Sequence, residues 1–207
     1  MTETIADSKL YIPGIGHVLI GEVDATPPVP DQFVFGDPIT YGGSSWIGDT
    51  SAENLPEFET DGGDPTPLRT FDRKGVRTVY DDKTITGTIG LLNINADSLA
   101  LAFPGGQQLG NEYQVMDNGQ ASARSMTILI EDATAKLALY FPNVAIVGKF
   151  PTFDLEQFLE VPLTVTVLSS PKKPGHIYSW IAEAGAITTM QANIAGGATS
   201  QTTEPTA

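Results

Sequence analysis

The chain has 207 residues and no cysteine, and its 25 acids against 11 Lys and Arg give a formal net charge of −14. That length makes one domain, or at most two small ones, with chain enough for a proper core; the missing cysteines exclude disulfides, thiolate metal sites and cysteine nucleophiles. The charge argues against nucleic-acid binding, which rests on Lys and Arg neutralising phosphates, and neither a leader-like start at Met1 to Leu10 nor an apolar run of membrane-spanning length is present, so a protein made and kept in the cytoplasm is expected.

In chain order the elements read as β. Tyr11 to Val23, centred on Val18-Leu19-Ile20, predicts a first strand. Pro27-Pro28-Val29-Pro30 then stops regular pairing, because proline cannot donate to a ladder. Phe33 to Ile39 predicts a short strand, and a long inter-strand loop spans residues 42–80, with Val76 to Tyr80 as its returning limb. Lys83 to Asn93 predicts a strand, and Asp97 to Phe103 a short helix capped by Asp97 and ended by Pro104-Gly105-Gly106. Met126 to Ile130 and Lys136 to Phe141 form a hairpin across Glu131 to Ala135. Asp154 to Glu160 has helical composition, but Pro151 and Pro162 bracket it and a strand fits equally well. Leu163 to Leu168 and Ile177 to Ile181 are the last strands. The fold class is therefore mainly β, with one short helix and a domain over residues 1–195. Residues 196–207, rich in Gly, Thr, Ser and Gln, are expected to be disordered.

Catalysis finds no support in the residues. The histidines are His17, inside an apolar strand, and His176, at a turn. No nucleophile elbow, phosphate loop or dinucleotide fingerprint occurs. Asp61-Gly62-Gly63-Asp64 lacks the alternating oxygen ligands and closing Glu of a calcium loop and reads as a tight acidic turn. Asp81-Asp82 and Glu131-Asp132 sit at turns, where Asp is favoured for local hydrogen bonds. No cofactor or metal is expected.

Two patterns point elsewhere. The loop carries Asp49, Glu53, Glu57, Glu59, Asp61 and Asp64 with no base among them, then Arg69, Arg73, Lys74, Arg77 and Lys83 in quick succession. The two limbs either neutralise each other in solvent or meet head to tail between subunits, with Trp46, Leu55, Phe58 and Phe71 as apolar anchors. A long loop with its own apolar residues must bury them to repay the entropy of ordering, and another protein surface is the natural place. Separately, Thr84, Thr86, Thr88, Thr127, Thr164 and Thr166 alternate with Ile and Val. That face is either the solvent side of a sandwich or the smooth lining of a channel built by several subunits.

The order of these pieces resembles the major tail tube protein of long-tailed, siphovirus-type phages of actinobacteria. The likeness rests on Gly21 to Pro28 after the first strand, Trp46-Ile47-Gly48-Asp49-Thr50-Ser51, the Asp61 to Asp64 turn, and Asp97 to Gly106; Thr70-Phe71 stands where a Trp often closes the loop. The resemblance implies a two-sheet β-sandwich or barrel with a flanking helix, related to the tube of type VI secretion. It implies hexameric rings stacked into a virion tail, assembled in the host bacterial cytoplasm, with an acidic lumen that passes viral DNA without binding it. The partners it implies are copies of the chain itself, a tape measure protein, a tail terminator and distal tail proteins, with no membrane. The other reading is a non-enzymatic β-sandwich binding or virion decoration module that recognises carbohydrate or another protein, with Trp46 and Trp180 stacking on sugar.

Overall fold

Aliphatic and β-branched side chains at every second position give this chain strands with one apolar face, and those faces can be satisfied only by curling round a shared core. The computed structural model describes residues 14–29, 40–68, 70–73, 76–117, 119–132, 136–151 and 153–182. The strands are β1 (Ile15–Gly21), β2 (Thr40–Tyr41), β3 (Ser44–Trp46), β4 (Glu57–Asp61), β5 (Pro65–Leu68), β6 (Arg77–Tyr80), β7 (Thr84–Leu91), β8 (Gln107–Leu109), β9 (Glu112–Gln114), β10 (Ser122–Glu131), β11 (Lys136–Gly148), β12 (Val161–Leu168) and β13 (Ser179–Ala182). The helix is α1 (Ala96–Ala102). The main sheet runs β2-β3-β1-β10-β11-β12-β7-β4, with β13 also on β11, while β5–β6 and β8–β9 are separate ribbons. The expected mainly β, barrel-like fold is present, and its walls belong to one curled antiparallel sheet.

The core lies on the concave face. Val18 and Ile20 of β1, Met126 and Ile128 of β10, Phe141, Val144 and Ile146 of β11, the buried valines of β12, and Ile89 and Leu91 of β7 pack there, with Leu101 and Ala102 of α1. A second, smaller cluster on the other face joins Leu19, Leu129 and Ala138 to Tyr41, Trp46 and Ile181. Between Phe141 and Val144 the strand β11 carries a bulge: Met126 faces Phe141, yet Arg124 faces Val144. Pro142 sits inside this irregular step, where its missing N–H interrupts no ladder, and its carbonyl accepts from the Asp24 N–H at 2.8 Å.

Several expectations change in detail. The loop 42–80 holds four short strands, and β4 joins the main sheet beside β7. The acids hid this strand: Glu57, Glu59 and Asp61 alternate with Phe58 and Thr60, and the alternation is what places the acids outside. The helix cap is Asn95, not Asp97. The Asn95 side chain accepts from the Ser98 N–H and the Ser98 hydroxyl accepts from the Asn95 N–H, a reciprocal box that leaves Asp97 to the first turn. Residues 154–160 form neither helix nor strand. The expected strand at Phe33 to Ile39 and the tail from Gly196 lie outside the described residues.

Two local devices hold this frame. Gly87 has no side chain where Phe58 crosses β7; an added Cβ would lie 2.5 Å from the Phe58 ring. The ring thereby stacks on Phe141 at 5.0 Å and carries β4 into the core. At the exit of β1, Asp24 adopts φ 59, a region Asp tolerates better than most residues. Its carboxylate accepts from the Ser170 hydroxyl and, at 3.1 Å, from the Lys172 N–H, tying this exit to the segment after β12.

The Ser170 hydrogen bond, with the Lys172 N–H and nearby positive charge, holds the Asp24 carboxyl below its ordinary range. The charged form is favoured in the fold, so its stabilising contribution is present above the ordinary carboxylate range and is lost as pH falls through the lowered value. Asp24→Asn is expected to lower the Tm at neutral pH, by a margin that shrinks on acidification; thermal melts across pH 2–7 would check it. Gly87→Val is expected to destabilise the subunit by about 1–3 kcal/mol through overpacking against Phe58, measured by denaturant unfolding.

Candidate assembly surfaces

The pairing of β4, β7 and β12 settles which side chains share a surface. Residues directly opposite each other in neighbouring strands project to the same side. Thr84, Thr86 and Thr88 stand opposite Asp61, Glu59 and Glu57. On the other flank Thr86 and Thr88 stand opposite Thr166 and Thr164. Five of the six sequence-identified threonines and three carboxylates therefore form one hydroxyl and carboxylate face, backed by Ile85, Ile89, Val165 and Val167 in the core. A shallow depression of about 250 Å³ on it is lined by Glu57, Glu59, Thr86, Thr88, Thr164 and the cation Lys149. Thr127 stands apart. It lies opposite Leu19 and Tyr140 and is 1% exposed, under the second cluster rather than on the open face.

The loop's four apolar anchors divide into two pairs. Trp46 is half-buried against the second cluster and meets His17 edge-on, with ring centroids 5.1 Å apart. Burial lowers the His17 pKa, against an upward pull from Asp49. Phe58 is taken into the main core. Leu55 and Phe71 remain in solvent. The packing of Trp46 also removes one of the two platforms a sugar-binding reading would use, while Trp180 stays half-exposed beside Tyr178, Phe141 and Phe58.

The β5–β6 ribbon is exposed along its whole length. It springs from the acidic turn, where Gly62 and Gly63 take φ 79 and 78 and the Asp61 carboxylate accepts from the Gly62 N–H at 2.9 Å. At its tip the Thr70 N–H donates to the Arg73 carbonyl and the Arg73 N–H to the Thr70 hydroxyl. Leu68, Phe71, Val76, Val79 and Tyr80 are all open to solvent, as are Arg73 and Arg77. A two-stranded ribbon is marginal by itself in water. Asp64 is exposed at its base; Arg69 and Lys74 lie outside the described residues.

One surface escaped the sequence reading. The connection from β11 to β12 exposes Phe150, Phe153, Leu155 and Phe158, with Leu155 fully open. Its signal was there: apolar residues bracketed by Pro151 and Pro162, with Leu155, Phe158 and Leu159 at a helical spacing that no helix takes up. Acids accompany them at Asp154, Glu156 and Glu160, and the Glu160 carboxylate accepts from the Asn54 side chain at 2.9 Å. Among the described residues the ion pairs are Arg124–Glu22 and Lys136–Glu131, so neither Arg73 and Arg77 nor Asp154 and Glu156 are matched within the subunit.

Comparison with known proteins gives these surfaces a setting. A family model described as phage tail tube protein matches residues 3–192. The major tail protein Gp23 of Mycobacterium phage D29 is 27% identical over 139 residues, covering 63% of this chain and 70% of its own. Major tail protein Gp23 of Mycobacterium phage L5 is 26% identical over the same length and shares. The family match spans residues 3–192, nearly the whole chain that folds into this curled β-sheet with its one short helix: this chain belongs to the phage tail tube protein family.

Proposed function

We propose that copies of this chain close side by side into hexameric rings, and that the rings stack into a tube whose lumen is walled by the β4-β7-β12 face and conducts viral DNA to the host cell. The observation that carries this reading is the face itself: Glu57, Glu59 and Asp61 beside five threonines, on strands whose opposite sides send Phe58, Ile85, Ile89, Val165 and Val167 to the core. On this face the hydroxyls and the three carboxylates outweigh the single lining cation, Lys149, so a passing duplex meets net repulsion, and wall charges act on phosphates only within about 8 Å at physiological salt.

Ring closure answers a second need. The sheet ends at β2 and β4, whose outer edges have no partner among the described strands. Free edges invite uncontrolled pairing, and a neighbour's strand removes them. A head-to-tail contact that closes gives a ring, and one that does not gives a filament. Trp46, Leu55, Phe58, Asp61, Asp64, Arg69, Phe71, Arg73, Lys74 and Arg77 remain the proposed contact set. Within it Trp46 and Phe58 act by holding the loop to its own subunit, while Leu55 and Phe71 reach outward. The role is structural and non-enzymatic, and the tape measure, terminator and distal tail proteins are the proposed partners in the virion tail.

Negative-stain microscopy of the purified chain tests the assembly, with rings or tubes expected; strict monomers at every concentration would sink the reading. Replacing Glu57 and Glu59 by Lys is expected to leave the subunit's melt unchanged and to slow genome release from virions at low salt, with recovery as salt rises. Unchanged release kinetics would take these two acids off the DNA path.

A further inference from the structure

The two surfaces left open within the subunit carry opposite charge and sit at opposite ends of one strand. The β5–β6 ribbon follows from Asp61, paired with Thr84, at the start of β7. The connection 149–160 enters β12 at Val161, paired with Leu91, at the end of β7. The eight residues of β7 separate them by about 25 Å. One end presents Phe71 and Tyr80 with Arg73 and Arg77; the other presents Phe153 and Phe158 with Asp154 and Glu156. Neither surface can reach the other in its own subunit, and a two-fold contact through either patch alone would set like charge against like.

We propose that the acidic, aromatic connection 153–160 of one copy receives the basic, aromatic β5–β6 ribbon of the next copy along the tube. This rests on the reading that the chain self-assembles, and it assigns the acidic partner of the ribbon to this connection rather than to β4. The acids of β4 lie alongside β7, committed to the threonine face by their pairing. Patches at opposite ends of a strand suit a head-to-tail contact, which when it does not close repeats along an axis, the geometry of stacking. Apolar side chains supply the buried centre, and the charge match sets register and speeds encounter.

The full chain tests this through charge exchange. Asp154→Lys with Glu156→Lys, and separately Arg73→Glu with Arg77→Glu, are each expected to raise the critical concentration for tube formation about tenfold or more. Combining all four substitutions is expected to bring it back to within about threefold of the unmodified chain, as charge-pair coupling requires. All positions are exposed, so melts of the separated subunits should coincide. The cysteine-free chain allows a second measurement: tubes of a Phe71→Cys, Phe158→Cys variant, oxidised, should give a ladder of covalent multimers, while each single variant should not. Reversals that assemble like the parent, a combination no better than its components, or tubes without a ladder would overturn the proposal. A parent chain that forms no tubes at all would instead overturn the assembly reading beneath it.

Discussion

The pairing of β7 with β12 is the constraint on which the other features depend. Ile85, Ile89, Val165 and Val167 point one way and Thr84, Thr86, Thr88, Thr164 and Thr166 the other, so the register of this ladder decides which chemistry faces the core. A slip of one residue would bury hydroxyls and expose isoleucines together, and such a slip is strongly opposed wherever one face is packed. With that register set, Gly87 falls on the core side, where Phe58 can cross it and stack on Phe141. The docked Phe58 draws β4 into the sheet, and the alternation of β4 then places Glu57, Glu59 and Asp61 beside the threonines. The polar face is thus a consequence of core packing on its reverse side.

The subunit divides its apolar residues between itself and its surroundings. Trp46 and Phe58 are spent internally, whereas Phe71, Phe153, Leu155 and Phe158 stay in water. Exposed aromatics in such number are a hazard for a protein that works alone. The net charge of −14 offsets the hazard by holding separate copies apart. A member of the tail tube family must satisfy both demands: stay dispersed while it is made, then join with many copies of itself. Surfaces that combine aromatic area with local charge meet them, because attraction is confined to the matched orientation.

Much of this was legible in the residues. Alternation announced β7 and β12, and two apolar runs flanking a polar turn announced the β10–β11 hairpin. The short helix was visible, but its cap was not, because Asn95 works through Ser98 and the nearer Asp97 masks it. β4 was obscured by its acids, whose two-residue period resembles a charged loop until Phe58 is given a place to go. The β8–β9 ribbon, with few apolar residues, left no periodic trace. Residues 149–160 were ambiguous because Leu155, Phe158 and Leu159 carry a helical spacing between two prolines, while the side chains stay exposed and no face of the subunit fixes one conformation. Of the contact set, the loop was identifiable as unusual, yet which aromatics fold inward depends on Gly87 and the second cluster, both long-range facts.

The bulge in β11 has a reach beyond its few residues. Before it, Leu139 and Phe141 face inward; after it, Val144 and Ile146 do, three positions on rather than two. The extra residue resets the phase of the strand, so its first half pairs with β13 and its second with β12 while both keep an oily side toward the middle of the molecule. Evolution is therefore not free to shorten or lengthen this strand by a single codon near Pro142. Such an indel would invert one half of the strand and turn its oily side chains outward, whereas changes of two codons would preserve their direction. Among relatives, length variation here should come in even steps.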